Sequence, residues 1–356
     1  MINNLEIRIY DSSLNFLGVI DSVSSFQWHR KYYEPGNVEM HCPVTKNNLS
    51  LLSLENIVYL VGSVEAAVIE GIVITSSESN EEIKVTGRFL SSYMDRRLIR
   101  PYFHTENGNA ETAMRNIFLN AVAIPNVELA NAHGFAKSIT FQATYKNLLV
   151  YEEKLAKYLQ AGIRFRPDFS AKKIYFELYA GVNRTLSQSD VPRVVFSDEY
   201  NNLTKISYTN NEQLYSNVCY VGGQGEGENR TYVIAGDDSL TGLERREVFL
   251  SSSDVSPNNQ TDEQYKASLK QRGDDKLNNS GISLSVEASV NPIGNFIYKT
   301  DYDLGDLVTI KNTKFGINID ERITEVTEIY EGGAFSVFLT FGTPIPETID
   351  WTDAIN

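Results

Sequence analysis

Leu54-Glu55-Asn56-Ile57-Val58-Tyr59-Leu60 and Leu304-Gly305-Asp306-Leu307-Val308-Thr309-Ile310 are two versions of one stretch. Each precedes a β hairpin whose second strand ends in glycine, Val85-Thr86-Gly87 in one copy and Thr340-Phe341-Gly342 in the other. From first leucine to last glycine the span is 33 residues in the first copy and 38 in the second. The echo predicts two copies of one β unit within the chain. Three such chains would present six similar units in a ring, which suits a six-fold partner.

Working outward, the first hundred residues alternate as strands do. Leu5, Ile7 and Ile9 are spaced by polar residues, as are Val38, Met40 and Cys42, and Glu34-Pro35-Gly36-Asn37 turns between runs. Strands are expected at Ile57–Val61, Ala67–Thr75 and Glu82–Gly87, the last two joined by Ser77–Asn80. The middle changes period. Asn109 can cap a helix carrying Glu111, Ala113, Ile117 and Ala121, and a second helix is expected from Leu148 to Gln160 with Gly162 as its stop. Ile163–Phe165 and the alternating Ile174, Phe176 and Leu178 then read as strands. From Val194 the β pattern returns. Gly222–Gly227 reads as a turn, Ser251–Gln260 as a loop, and Thr261 caps a polar helix bearing Tyr265, Leu269 and Leu277. Strands resume at Ile282–Val290, Phe296–Tyr302, Leu307–Ile310, Arg322–Tyr330 and Ala334–Phe341.

The expected fold is therefore mainly β with an α+β insertion. Residues 1–100 form a first tube-like β-barrel domain and 101–190 a small α+β domain. Residues 191–345 form a second tube-like β-barrel domain, with a helical insertion around 255–280, and 346–356 form a C-terminal tail.

The 356 residues are 42% hydrophobic and 22% charged, enough to bury a sizeable core. Net charge is −14, and it is uneven: residues 1–178 hold 18 Lys and Arg against 19 Asp and Glu, residues 179–356 hold 14 against 27. Such a surface repels phosphate and disfavours tight nucleic-acid binding, yet an acidic wall would let DNA pass without sticking. The N-terminal residues lack the basic-then-apolar order of a signal peptide, and no run reaches the ~18 apolar residues of a membrane span.

No chemistry-bearing motif emerges. His29, His41, His104 and His133 fall in no metal-ligand spacing, and Cys42 and Cys219 stand alone as buried thiols rather than a disulfide or zinc pair. There is no nucleophile elbow and no phosphate-binding loop; the Gly222–Gly227 cluster fails the dinucleotide pattern at Glu228 or Arg230. The acidic runs Asp237-Asp238, Asp274-Asp275 and Asp301-Tyr302-Asp303 fit no calcium loop. No catalytic, cofactor-binding or metal residue is assigned, and the chain is expected not to be an enzyme. The 20 tyrosines, Tyr32-Tyr33 and Tyr298–Tyr302 among them, suit strand packing, subunit contact or stacking on sugars.

In order and spacing, several runs resemble the hub-type tail proteins of siphoviruses and of prophages of Gram-positive bacteria. They are Ile7-Arg8-Ile9-Tyr10-Asp11, Phe26 to Gly36, Gly87-Arg88-Phe89-Leu90, Arg96-Arg97, Tyr145 to Leu148, Tyr220 to Gly227, Asp301 to Asp306, Arg322 to Glu328 and Thr340-Phe341-Gly342. The resemblance spans nearly the whole chain. It implies kinship with the baseplate hubs of contractile tails, which are trimers with two tube-like barrels per chain. It therefore implies a structural baseplate-hub or tail-tip protein, a homotrimer joining the tail tube to the tip or spike around a channel for DNA in transit. Implied partners are a distal-tail or tube-protein ring, spike, fibre or receptor-binding proteins, and the tape measure protein. The implied location is the virion tail, after assembly in the host cytoplasm. Many relatives continue into a hydrolase or receptor-binding region; this chain stops at Asn356, so none is expected here. The alternatives are a tail-associated cell-wall hydrolase and a carbohydrate-binding tip module.

Overall fold

The computed structural model describes residues 5–20, 22–76, 81–258, 260–281, 283–290 and 294–342. The expected turn Ser77–Asn80 and the tail 346–356 lie outside them.

The first repeat contains β1 (Ile7–Tyr10), β2 (Phe16–Ile20), β3 (Ser25–Lys31), β4 (Asn37–Pro43), α1 (Lys46–Leu51), β5 (Ile57–Leu60), β6 (Ala67–Ser76) and β7 (Glu81–Phe89). The middle segment holds β8 (Leu98–Ile99), β9 (Phe103–Asn109), α2 (Ala110–Asn120), β10 (Val127–Leu129), β11 (Ser138–Ala143), β12 (Lys146–Asn147), α3 (Leu148–Leu159), β13 (Gly162–Asp168) and β14 (Lys173–Tyr179). The second repeat begins with β15 (Val195–Ser197) and β16 (Leu203–Asn211). An insert follows: β17 (Val218–Gly222), β18 (Tyr232–Gly236), β19 (Glu247–Ser251) and α4 (Asp262–Asn279). The repeat resumes with β20 (Ser283–Val290), β21 (Leu307–Asn312), β22 (Ile317–Glu331) and β23 (Ala334–Gly342).

The fold is mainly β with few helices, as the alternation requires. One sheet of 13 strands runs through both repeats in the order β16-β20-β23-β22-β3-β4-β7-β6-β5-β1-β2, with β21 and β15 branching from β22. Among the described residues neither repeat closes into a barrel by itself, because the edge that would seal one repeat is spent joining the other.

The internal echo is structural. Glu55 (φ +67°) donates its N–H to Ile69 O at 2.9 Å, and Ile69 returns one to Asn56 O at 2.8 Å. Gly305 (φ +94°) and Ile323 repeat this, with Gly305 N to Ile323 O and Ile323 N to Asp306 O both 2.8 Å. A bulge follows at the same place in each, after Ile69 in β6 and after Ile323 in β22. The glycine ends differ by one residue: Gly87 stands opposite Ile69, whereas Phe341, not Gly342, stands opposite Ile323. Gly87 is required because a Cβ there would meet Val68 O at 1.9 Å. The ladders extend the equivalence. Val38 faces Gly87 and Trp28 as Val286 faces Phe341 and Tyr208, so β4 matches β20 and β3 matches β16.

Both expected central helices form, each capped by an asparagine side chain, Asn109 on Thr112 N and Asn147 on Val150 N. Glu111 does more than favour the helix start: its carboxylate accepts the N–H groups of His133, Gly134 and Phe135. The stop of α3 is Gln160, in the left-handed conformation, and not Gly162, which already lies in β13. Phe296–Tyr302 is not a strand but a turn with a single Tyr298–Tyr302 bridge; Lys299 has positive φ and Asp301 accepts the Ile297 N–H. The insert is larger than a helix. α4 starts with a capping box between Thr261 and Gln264, and packs Tyr265 and Leu269 against Cys219, Val221 and Ala235 of the three-stranded sheet.

Candidate assembly surface

β3 and β22 join the two repeats over seven residue pairs, from Lys31–Glu325 to Ser25–Glu331. Along β3 and in the residue that follows it, Phe26, Trp28, Arg30 and Tyr32 point into the core, and all are almost fully buried. Arg30 is the anomaly, a guanidinium 1% exposed. Its Nε and Nη2 reach the two oxygens of Glu65 at 3.1 and 3.2 Å, and Nη1 reaches Asp303 at 2.6 Å and the Tyr298 hydroxyl at 2.9 Å. Burial is the largest single influence and opposes the charge, but Glu65, Tyr298 and Asp303 together outweigh it and hold the proton more tightly than usual. Tyr298 passes a hydrogen bond on to Glu328, which also receives Lys299 and Tyr330. Trp28 Nε1 donates to Ser63, beside Glu65. One polar network thus spans both repeats at their joint.

Tyr32 fastens the middle segment to the same place. Its hydroxyl lies 3.2 Å from Gln160 O and 3.1 Å from Tyr179 O, and Arg322 sits over its ring. Gly162 and Gly305 make room, since a Cβ on either would come within 2.6 Å of that ring.

The second repeat has the same strands but lacks the partner. Among the described residues β16 pairs only with β20 and is an edge. Its Tyr208, which matches the buried Trp28, is 42% exposed. The outer half of β6, which matches the stretch of β22 that binds β3, pairs only with β7 among the described residues. Val73 and Ile74 on that half are 58% and 54% exposed. Two complementary edges therefore stand open on one chain, each with exposed apolar side chains.

The face of the large sheet away from the cores is mostly polar, with Val73 and Phe338 as exposed apolar side chains on it. On the first repeat its Lys and Arg side chains are matched: Lys84 with Glu39 at 2.8 Å, Lys31 with Glu34 at 2.6 Å, and Arg88 with Glu70 and Asp95; His29 lies 2.9 Å from Glu325. On the second repeat it carries Glu287, Glu325 and Glu331 among Ser207, Thr209, Ser289, Thr327, Ser336 and Thr340. Much of the remaining acid of residues 179–356 lies instead on α4 and in turns: Asp237 caps Ser239, Asp238 pairs with Arg245, and Asp274 with Lys270.

His41 lies between Glu39 (2.9 Å) and Glu82 (3.0 Å), which raise its pKa in that order. Because the folded pKa is the higher, this contribution is complete below the unfolded value of about 6.5 and is lost as pH rises through the folded one. An NMR titration should give His41 a midpoint above about 6.5, falling in Glu39→Gln; a midpoint at or below 6.5 would contradict the pairing.

The other residues singled out in the sequence are dispersed. His104 stacks on Tyr102 and His133 on Phe135. Cys42 and Cys219 are buried free thiols, and burial pushes Cys42 up to about 11. Gly222 to Gly227 are not one turn: Gly222 ends β17, and Gly223 lies against Tyr265 and Leu269. Asp301 and Asp303 serve the Tyr298 turn and Arg30. Sequence reasoning missed Arg30 and Glu328 because charged residues in a strand ordinarily face water, and Glu65 because it lies in the connection between β5 and β6; the only signal was Arg30 in phase with Phe26 and Trp28.

The whole architecture recurs in solved structures. The 43 kDa tail protein of prophage MuSo2 from Shewanella oneidensis matches with TM-score 0.63 and 12% identity, over 99% of this chain and 100% of that one. The tail protein from Neisseria meningitidis MC58 matches with 0.60 and 12%, over 96% and 97%. Prophage tail protein gp18 from Listeria monocytogenes EGD-e matches with 0.54 and 13%, over 95% and 94%. At such identities the likeness is one of fold. No curated protein matches in sequence. The family model of the siphovirus ReqiPepy6 Gp37-like protein matches residues 6–343, nearly the whole of the chain just described. The chain belongs to that siphovirus tail protein family.

Proposed function

We propose that the chain is the structural hub of a tail tip or baseplate, a homotrimer that joins the tail tube to the tip or spike. The observation that carries this is the pair of open edges. The β3–β22 joint within the chain shows how one repeat receives the next. Applied once more, the same joint places β16 of one copy on the outer half of β6 of another. Such a head-to-tail contact closes into a ring when the rotation from copy to copy is one third of a turn. Three copies give six similar repeats, which suits a six-fold tube. Tyr208 and Ile74, both exposed on one chain, become cross-strand neighbours, as Trp28 and Glu328 already are. In this reading residues 1–100 and 191–345 are the ring-forming domains and 101–190 lies outside them.

The polar sheet face lines the channel. Its first-repeat cations are held by carboxylates and its second repeat adds Glu287, Glu325 and Glu331, so the wall offers passing DNA few free cations and few traps. No catalytic step enters this role.

Light scattering of the purified chain, across a concentration series, should give three times the 40.0 kDa of one chain. A stable monomer up to high concentration, or a six-chain ring, overturns the reading.

A further inference from the structure

The insert replaces the short turn Glu34–Asn37 of the first repeat, so the ring-forming strands do not need it. One face of its sheet packs on α4. The other carries Tyr220 and Gly222 on the central strand, with Tyr232 and Ser251 flanking Gly222, and Ile234 and Phe249 flanking Tyr220. Gly222 leaves a gap there, and the Arg230 guanidinium fills it: a Cβ on Gly222 would lie 2.7 Å from Arg230 Cζ. Nε donates to Gly223 O at 2.8 Å, and Nη2 to Gly222 O at 2.9 Å and Ser251 Oγ at 2.6 Å. The rings of Tyr232 and Phe249 stand 5.9 and 5.6 Å from Cζ, one on each side. Both rings are more than half exposed. Among the described residues Nη1 has no acceptor and no carboxylate pairs with this side chain.

We propose that this face binds an acid-bearing saccharide, its carboxylate on Arg230 Nη1 and its sugar faces on Tyr232 and Phe249. The guanidinium is already fixed by three acceptors, so little freedom is lost when its remaining donors engage an anion, and such charge-assisted bonds are the strong ones. The rings project from the two outer strands and are offset by two residues along them, about 12 Å apart, a span of two to three linked sugar rings. Aromatic faces carry negative density that attracts the C–H faces of a pyranose. The ligand is small: four exposed side chains fall far short of the about 800 Å² per partner of a standard protein interface. In a chain of net charge −14, one unmatched guanidinium selects a single carboxylate rather than a polyanion.

The test is calorimetric titration of the full chain with an oligosaccharide that bears a single uronic acid and with the peptidoglycan disaccharide that bears a muramic carboxylate. A neutral chito-oligosaccharide and an acidic peptide serve as comparisons. Saturable binding of an acid-bearing sugar is expected, at least about tenfold tighter than of the neutral one, as one charge-assisted bond implies. Arg230→Gln and Tyr232→Ala should each weaken it by a similar factor, with the far-ultraviolet dichroism unchanged. No saturable binding of either acidic sugar, binding undiminished in Arg230→Gln, or equal competition by the acidic peptide would each overturn the proposal.

Discussion

Replacing Arg30 with leucine should lower the unfolding free energy by about 3–5 kcal/mol, the range for breaking a buried ion pair from one side. The loss comes less from the missing attraction than from what stays behind. Glu65 is 4% exposed and would have no counter-charge, and the Tyr298 hydroxyl would lose its donor. Urea unfolding at one fixed protein concentration measures the change, since assembly alters apparent stability. Two variants separate this cause from general damage. Arg30→Leu combined with Glu65→Leu removes both charges and should recover a large part of the loss. Lys84→Gln, which breaks the exposed pair with Glu39, should cost below about 1 kcal/mol. A loss under 1 kcal/mol in Arg30→Leu would show that the network is not what holds the two repeats together. The position matching Arg30 in the second repeat is Asn210. The charged network therefore belongs to the joint within a chain, and the open edge of β16 remains intact in the variant.

How much of this was legible follows from where each signal sits. The strands were readable because β4 and β7 have one buried and one polar face, so alternation appears directly in Val38, Met40 and Cys42. The repeat was readable because the turn before β5 and β21 imposes a local demand, a positive φ at Glu55 and Gly305, met by the same surrounding residues. Its exact register was not, because glycine at the strand end answers different needs in the two copies. Phe296–Tyr302 looked like a strand because Tyr298 and Tyr302 are both buried, yet they meet across a turn. The joint could not be read at all. Arg30, Glu65 and Glu328 come together across sequence separations that no local pattern encodes, and nothing in β16 alone says that its partner is missing. That became visible only when Tyr208 was compared with Trp28.

The same comparison fixes the register between copies, and cysteine pairs test it. In the joint within the chain His29 stands opposite Thr327. His29 matches Thr209, and Thr327 matches Val73. Val73 of one copy should therefore face Thr209 of the next. Directly opposed residues in an antiparallel pair have Cα atoms about 4.5–5.5 Å apart, inside the window that a disulfide spans. Mild oxidation of the double variant Val73→Cys, Thr209→Cys should convert most of the chain to covalent dimers and trimers with nothing larger, because a closed ring of three has no free end. Native Cys42 and Cys219 are buried and will not compete. The pair His29→Cys, Thr327→Cys should form a disulfide within one chain and report that the chemistry works. Shifting one site, Val73→Cys with Tyr208→Cys, moves the second thiol to the opposite face of the sheet and should abolish the ladder. Equal cross-linking by the shifted pair would exclude this register. A ladder running past three would mean that the edges build an open filament, and the hub reading would fall with it.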